Sequence, residues 1–132
     1  MPAQLTPDDL ALLREARIAI VGTRMPDGSE QLTPTWIDTD GVNVLFNTAK
    51  GRVKHRNILA NPAVSVAVVD PGDAYRWVAV RGRAELVDEG AEEHIDRLAN
   101  KYLGVDTYPL RTEGEVRVTV RVIPEHVLRM GK

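Results

Sequence analysis

The spacing of hydrophobic and polar residues changes along the chain, and each change marks a predicted element. Strict alternation of valines with polar residues over 115–123 predicts a strand whose valines face the core and whose charged residues face outward. A nearly continuous apolar run over 63–69 predicts a strand buried on both faces. Apolar residues recur at helical spacing over 89–103, so this segment is predicted to form a helix.

Turn and capping residues predict the other elements. Thr6, followed by a proline and two aspartates, indicates the start of a first helix. Asp-Gly turns at 27–28 and 40–41 indicate that three strands pair as an antiparallel meander. Gly82, in the middle of a long strand, predicts a bulge or a sharp bend. These remaining elements are strands over 17–23, 30–39, 42–48 and 75–87 and a short helix over 50–60.

Six strands with two or three short helices indicate a mainly β (α+β) fold, a small closed or half-closed antiparallel barrel. The 132 residues, 43% of them hydrophobic and 27% charged, predict one folded domain over 1–132. The absence of cysteine excludes disulfide scaffolds and thiolate metal sites, and the three histidines lack metal-motif spacing. Because no apolar run is long enough to span a membrane and no targeting segment is visible, we expect a cytoplasmic protein.

The charged residues give a formal net charge of -2, which offers no support for a nucleic-acid or membrane partner. Four cations nevertheless lie within the seven positions 50–56, with no acidic residue among them. Thr48, Gly51 and the predicted helix start coincide with this cluster. Backbone N–H groups, a hydroxyl and cations therefore converge, which is how a phosphate is held at a helix N-terminus. A solvated basic helix face is the other interpretation, and the residues alone leave both open.

The order and spacing of these segments resemble the pyridoxamine 5'-phosphate oxidase-like split β-barrel proteins. Within that superfamily the chain is most similar to group B of the flavin/deazaflavin oxidoreductases, actinobacterial proteins that use coenzyme F420. The resemblance implies a six-stranded antiparallel split β-barrel of the FMN-binding type, with short flanking helices. The segments that carry it cover most of the chain and are Asp27-Gly28, Thr33-Pro34-Thr35-Trp36, residues 47–57, residues 61–66, residues 75–84 and Lys101-Tyr102-Leu103-Gly104.

The resemblance also implies which residues contact the cofactor. Thr48, Arg52 and Lys54 match the positions that grip its phosphate, and Asn57 matches the one that orients the loop. Tyr108 could stand at the cavity mouth. No catalytic acid or base and no metal ligand are predicted. The full set of implied cofactor-binding residues is Thr33, Pro34, Thr35, Trp36, Thr48, Lys50, Gly51, Arg52, Val53, Lys54, Asn57 and Trp77.

Three functions follow from this resemblance. The first is a coenzyme F420-dependent reductase that transfers a hydride to an unsaturated small-molecule acceptor, and the surplus of cations suits the anionic tail of that cofactor. The second is an FMN-dependent oxidase or reductase of the same fold, and the third is a carrier that binds F420 without turnover. Family members are typically homodimers with cofactor sites at the interface, so a homodimer is also expected. The substrate would depend on the shape of a cavity that two chains line.

Overall fold

Three helices and seven strands make up the part of the chain that the computed structural model describes, residues 3–129. None of the described helices is long and apolar enough to cross a membrane. The elements in chain order are α1 (Pro7–Arg14), β1 (Ile18–Arg24), β2 (Glu30–Trp36), β3 (Asp38–Thr39), β4 (Val44–Ala49), α2 (Val53–Ala60), β5 (Ala63–Asp70), β6 (Asp73–Val87), α3 (Ala91–Leu103) and β7 (Arg117–Arg129).

All seven strands belong to one antiparallel sheet in the order β2-β1-β5-β6-β7-β4-β3. Its two edge strands, β2 and β3, are separated in the chain by Ile37 alone. In a flat sheet these edges would lie roughly 29 Å apart, since neighbouring strands are spaced about 4.8 Å. Two residue steps span at most about 7 Å. The sheet therefore curls into a barrel, and Ile37 crosses from one edge to the other.

The crossing at Ile37 is held by side chains from α3. Ile37 is fully buried. Its N–H donates to the Tyr102 hydroxyl at 3.0 Å, and that hydroxyl donates to the Arg17 carbonyl. The Lys101 ammonium donates to the carbonyls of Ile37 and Leu13, both at 2.6 Å. The helix thus binds the backbone at the point where the barrel closes.

The mainly β, α+β class and the antiparallel barrel architecture are confirmed, but the predicted number of six strands is wrong. The segment 30–39 was expected to be one strand, and it divides at Ile37 into β2 and β3. Both hairpins of the expected meander form, but the division of the middle strand places them at opposite edges of the sheet. β2 pairs with β1, whereas β4 pairs with β3 and β7. The division has no turn residues because the chain stays extended while it changes edges.

Two burial predictions are also wrong. β5 was expected to be buried on both faces, but only its Val64, Val66 and Val68 side chains are buried, and alternate residues such as Val69 are exposed or half-buried. In β7 the predicted burial of alternate valines holds from position 118 onward, while Arg117, expected to face outward, is also buried. The second face of β7 is covered because α3 packs against this strand.

The helices agree with the predictions from capping and periodicity. α1 begins with a capping box in which the Thr6 hydroxyl and the Asp9 carboxylate each accept a backbone N–H of the other residue. α3 buries the predicted apolar stripe and ends at Gly104 in the left-handed conformation. α2 is shorter than expected and starts at Val53.

Gly82 lies at the predicted bulge, where the β6–β7 register shifts. A Cβ at this position would lie 2.0 Å from the Ile123 carbonyl oxygen, which is backbone and cannot move aside. We therefore expect Gly82→Ala to lower the free energy of unfolding by about 1 to 3 kcal/mol. Urea titration at a fixed protein concentration measures this. Gly72→Ala is the control, because its Cβ would meet only the Asp70 side chain at 3.4 Å; equal losses in both variants would contradict the prediction.

Candidate functional site

A cleft of about 240 Å³ opens between β2, β4, α3 and the loop that follows α3. On its own this volume is below the roughly 300 to 1,000 Å³ of a usual small-molecule site. Its walls combine apolar and aromatic side chains with cations and amides. The residues that line it are Ile18, Pro34, Thr35, Trp36, Asn47, Arg52, Lys54, Ile95, Leu98, Tyr108, Leu110 and Arg117.

Aromatic rings form one wall of the cleft. Trp36 stacks on Tyr102 with ring centroids 5.3 Å apart and meets Tyr108 edge-on at 5.9 Å. Asp96 on α3 fixes Tyr108, because its carboxylate accepts the Tyr108 backbone N–H at 2.9 Å and also pairs with Arg111 at 3.0 Å. The irregular loop after α3 is thereby tied to the helix. Aromatic side chains in a cleft can contact a ring-containing ligand either face-on or edge-on.

A second, basic pocket of about 410 Å³ continues the cleft, and the two share Arg52 and Lys54. Together they form one elongated groove with an aromatic end and a cationic end. The residues that line the basic pocket are Gln31, Thr33, Gly51, Arg52, Val53, Lys54 and Arg56.

The start of α2 lies at this cationic end and lacks the groups that usually complete a helix. Its N-cap, Arg52, makes no side-chain cap, and the first turn contains no acidic residue. The first-turn N–H groups of a helix have no intrahelical acceptors, and the helix dipole adds positive potential there. α1, by contrast, carries a full capping box. An anion would complete the start of α2, and that is the chemistry the basic cluster offers.

Lys54 adds a half-buried cation that no carboxylate neutralises within residues 3–129. Its ammonium donates to the hydroxyls of Thr33 at 2.9 Å and Thr35 at 3.4 Å. Burial lowers the pKa of Lys54, and the charges of Arg52 and Arg117 lower it further. All three influences disfavour the charged form, so a bound anion would stabilise it.

A buried ion pair that the sequence did not reveal lies at the aromatic end. The Arg117 guanidinium pairs with Glu115 at 2.6 Å, and these side chains are only 3% and 4% exposed. Arg117 also donates through Nε to the Asn47 amide oxygen at 2.8 Å and covers the Tyr108 ring at 5.2 Å. Glu115 in addition accepts from Arg52 at 3.3 Å. An arginine in an alternating strand gives no signal of burial, since the covering helix is distant in sequence.

His94 extends this polar network into the core. It is 1% exposed, and its Nδ1 lies 3.1 Å from the Asn47 amide nitrogen and 3.3 Å from the Thr119 hydroxyl. Burial, with a smaller effect from Arg97, lowers the pKa of His94 to about 4. The imidazole is therefore neutral at pH 7, and its Nδ1 accepts the amide hydrogen of Asn47.

The groove contains eight of the twelve residues expected to bind the cofactor. Five line the cleft, and three more line the basic pocket alone. In β2, an edge strand of the sheet, Pro34 lies opposite Ile20. The eight residues are Pro34, Thr35, Trp36, Arg52 and Lys54 in the cleft and Thr33, Gly51 and Val53 in the basic pocket.

The other four expected residues line neither pocket. Thr48 is buried in β4, and its hydroxyl has no partner among the described residues. Asn57 is buried and donates to the Thr23 hydroxyl, so it fixes α2 to β1. Lys50 pairs with Asp88 at 3.0 Å. Trp77 is half-buried in β6 and does not reach this chain's cleft.

Comparison with known proteins relates this groove to a family. A family model described as pyridoxamine 5'-phosphate oxidase matches residues 5–130, whereas none of the curated proteins matches significantly. A solved F420 reductase is similar with 31% identity and a TM-score of 0.78, over 89% of this chain and 94% of that one. A conserved hypothetical protein of Mycobacterium tuberculosis is 24% identical, with a TM-score of 0.73 over 96% of this chain and 84% of that one.

The buried histidine generates a pH prediction. Between the pKa of about 4 in the folded chain and the ordinary value of 6.5, the unfolded chain binds a proton that His94 in the folded chain does not. The free energy of unfolding therefore decreases as the pH falls through this window. We expect the protonation of His94 in the unfolded chain to lower it by about 2 kcal/mol between pH 7 and pH 5. Denaturant unfolding at pH 7 and pH 5 measures this change. In His94→Gln the decrease in the free energy of unfolding between the two pH values should be smaller than in the wild type by that amount. Identical pH dependence in both proteins would contradict this.

Proposed function

The chain belongs to the pyridoxamine 5'-phosphate oxidase family, and from this premise we propose that it is a reductase that uses coenzyme F420. The acceptor would be an unsaturated small molecule. One observation carries the proposal: an uncapped, cationic helix start opens directly into a cleft with an aromatic wall. That pairing of an anion site with an aromatic-lined cleft is what a phosphate-bearing, ring-containing cofactor requires.

The residues present fit such a cofactor. Lys54 and Arg52 would hold the phosphate, because both line the junction of the two pockets and both carry donors at the start of α2. Lys54 is already oriented by two threonine hydroxyls. Trp36 and Tyr108 would contact the ring and exclude water from it.

Cations beyond the phosphate end favour F420 over FMN. A third pocket, of about 540 Å³, shares Val53 and Arg56 with the basic pocket and is also lined by Arg24. F420 carries an oligoglutamate tail beyond its phosphate, and these arginines could neutralise part of it. The similarity to an F420 reductase at 31% identity agrees with this choice. FMN, which ends at its phosphate, would leave the third pocket unused.

When bound, the deazaflavin ring would supply the hydride. The chain would then need only to position the ring and to provide a proton donor. No aspartate, glutamate or histidine lines the described part of the cleft. Tyr108 is the tyrosine that lines the cleft, and its hydroxyl or solvent would protonate the product. The same lack of an acid or base supports the second candidate, a carrier that binds F420 without turnover.

We also propose a homodimer through the outer face of the sheet. Ile20, Leu32 and Leu128 are 42%, 62% and 54% exposed, and with Ala67 and Ala79 they line one apolar depression. Contiguous exposed apolar surface of this kind marks an association site. The depression adjoins the cleft, because Ile20 and Ile18 are alternate exposed residues of β1, and Ile18 lines the cleft.

Such a dimer would set the cofactor sites beside the interface. Trp77 alternates with the buried Val78 and so lies on the outer face of β6, two residues from Ala79 in the apolar depression. In the dimer it would be near the partner's cleft, where it could contact the cofactor as the resemblance implies. The substrate cavity would then be completed by two chains.

Titration with each cofactor tests the proposed function. Arg52→Ala and Lys54→Ala should each weaken F420 binding by about 1.5 to 3 kcal/mol, the scale of a charge-assisted hydrogen bond. Fluorescence titration with F420 and separately with FMN measures both affinities. Arg97→Ala, an exposed arginine on α3, is the matched control and should bind as the wild type does. Tighter binding of FMN than of F420 would favour the FMN-dependent alternative. Tight binding of F420, with no acceptor able to oxidise the reduced F420, would favour the carrier.

Sedimentation tests the dimer. The wild type should sediment as a dimer at micromolar concentration, and Ala79→Glu should shift it to monomer, because the interface would bury an unpaired carboxylate. Val42→Glu is the control, since Val42 is 68% exposed away from this depression. A monomeric wild type would refute the interface.

A further inference from the structure

Glu115 holds a buried carboxylate beside Arg52, the residue that lines both the cleft and the basic pocket. Its side chain is only 4% exposed. One carboxylate oxygen accepts from Arg117 at 2.6 Å. The other accepts from the Thr112 hydroxyl at 3.1 Å and from Arg52 at 3.3 Å. These donors fix the carboxylate in one position.

Glu115 is ionised at neutral pH and determines where the positive charge of the groove lies. Burial alone would raise the pKa of Glu115, but the hydrogen bonds from Arg117 and Thr112, together with the charges of Arg117 and Arg52, hold it below its ordinary value. Glu115 in turn neutralises the buried Arg117. The surplus positive charge therefore lies on Arg52 and Lys54. Of these two, only Arg52 shares the carboxylate, at 3.3 Å.

An anion at the start of α2 would be held by the same guanidinium that Glu115 contacts. Arg52 is the N-cap residue of α2 and its side chain is 53% exposed, so it can donate to a ligand while Glu115 accepts from it. The charge of Glu115 then acts on the ligand across Arg52 without touching it. Coulomb repulsion grows in proportion to the charge of the ligand, and a buried carboxylate is screened less than an exposed one.

We propose that Glu115 is a specificity-determining residue, which disfavours a doubly charged phosphate monoester relative to a singly charged phosphodiester. This inference rests on the proposed function, in which Arg52 and Lys54 hold the cofactor phosphate. The phosphate of F420 is a diester with one negative charge. The phosphate of FMN is a monoester whose second pKa is about 6, so at pH 7 most of it carries two. Arg52 and Lys54 attract the monoester more strongly, and Glu115 offsets part of that attraction.

The test varies the charge of the phosphate and leaves the ring unchanged. FMN and its phosphate monomethyl ester have the same ring and the same ribityl chain, but the ester carries one negative charge. Both are titrated at pH 7 into the wild type and Glu115→Gln, with F420 in parallel, and weak affinities are measured by displacement of F420. We expect Glu115→Gln to raise the affinity for FMN about tenfold more than the affinity for the ester.

Three further variants separate the charge of Glu115 from its structural role. Glu115→Asp keeps the carboxylate and should keep the wild-type ratio of FMN affinity to ester affinity. Thr112→Lys places an ammonium beside the same carboxylate at an exposed position. It should shift the ratio in the same direction as Glu115→Gln, and it keeps the inference testable if that variant fails to fold. Glu113→Gln removes an exposed carboxylate of the same loop and should leave the ratio unchanged.

The ratio is measured on folded protein, so a loss of stability alone does not change it. If Glu115→Gln and Thr112→Lys altered the affinities for FMN and the ester by equal factors, or not at all, this inference alone would be overturned. A Glu115→Asp variant with the ratio of Glu115→Gln would overturn it too. Binding of neither F420 nor FMN by the wild type would overturn the proposed function as well.

Discussion

One buried residue, Ile37, carries the chain from one edge of the sheet to the other, and the site depends on how that crossing is held. The Tyr102 hydroxyl and the Lys101 ammonium bind both backbone groups of Ile37, so α3 is joined to the seam of the barrel. Burial raises the pKa of Tyr102, which keeps its hydroxyl protonated as a donor to the Arg17 carbonyl. The same ring stacks on Trp36, the residue before the crossing. The contacts that close the barrel therefore also build the aromatic wall of the cleft.

At the cationic end of the groove, by contrast, the start of α2 lacks the local interactions that stabilise the start of α1. α1 has a capping box and acidic residues in its first turn, whereas α2 begins among Arg52, Lys54 and Arg56 with no cap and no acid. Cations at the positive end of a helix repel its dipole. The fold tolerates this because the Asn57 amide of α2 is bonded to Thr23 of β1, which anchors the helix by tertiary contact. Departures of this kind from local rules are expected where a ligand supplies the missing interaction.

Local signals explain which parts of the structure could be predicted from the sequence. The Thr6 cap, the apolar stripe of α3 and the bulge at Gly82 each depend on residues close in the chain, and all three are confirmed. The division of the segment 30–39 at Ile37 depends on pairing between strands across the whole barrel. It could not be predicted, because no turn residue marks it in the sequence. The burial of Arg117 depends on α3 covering the outer face of β7. Alternation of residues along a strand distinguishes the two faces of the sheet, but it does not show when both faces are buried by other elements.

Glu115 links the two ends of the groove, since one oxygen of its carboxylate accepts from Arg117 and the other from Arg52. An anion that took the hydrogen bonds of Arg52 would compete with Glu115 for that guanidinium. The carboxylate would then be left to Arg117 and to Thr112, whose hydroxyl it also accepts. The phosphate end and the ring end are thus coupled through one buried carboxylate rather than acting as separate sites. A cluster that looks like a surface feature in the sequence is, in the folded chain, the outer half of a buried ionic network.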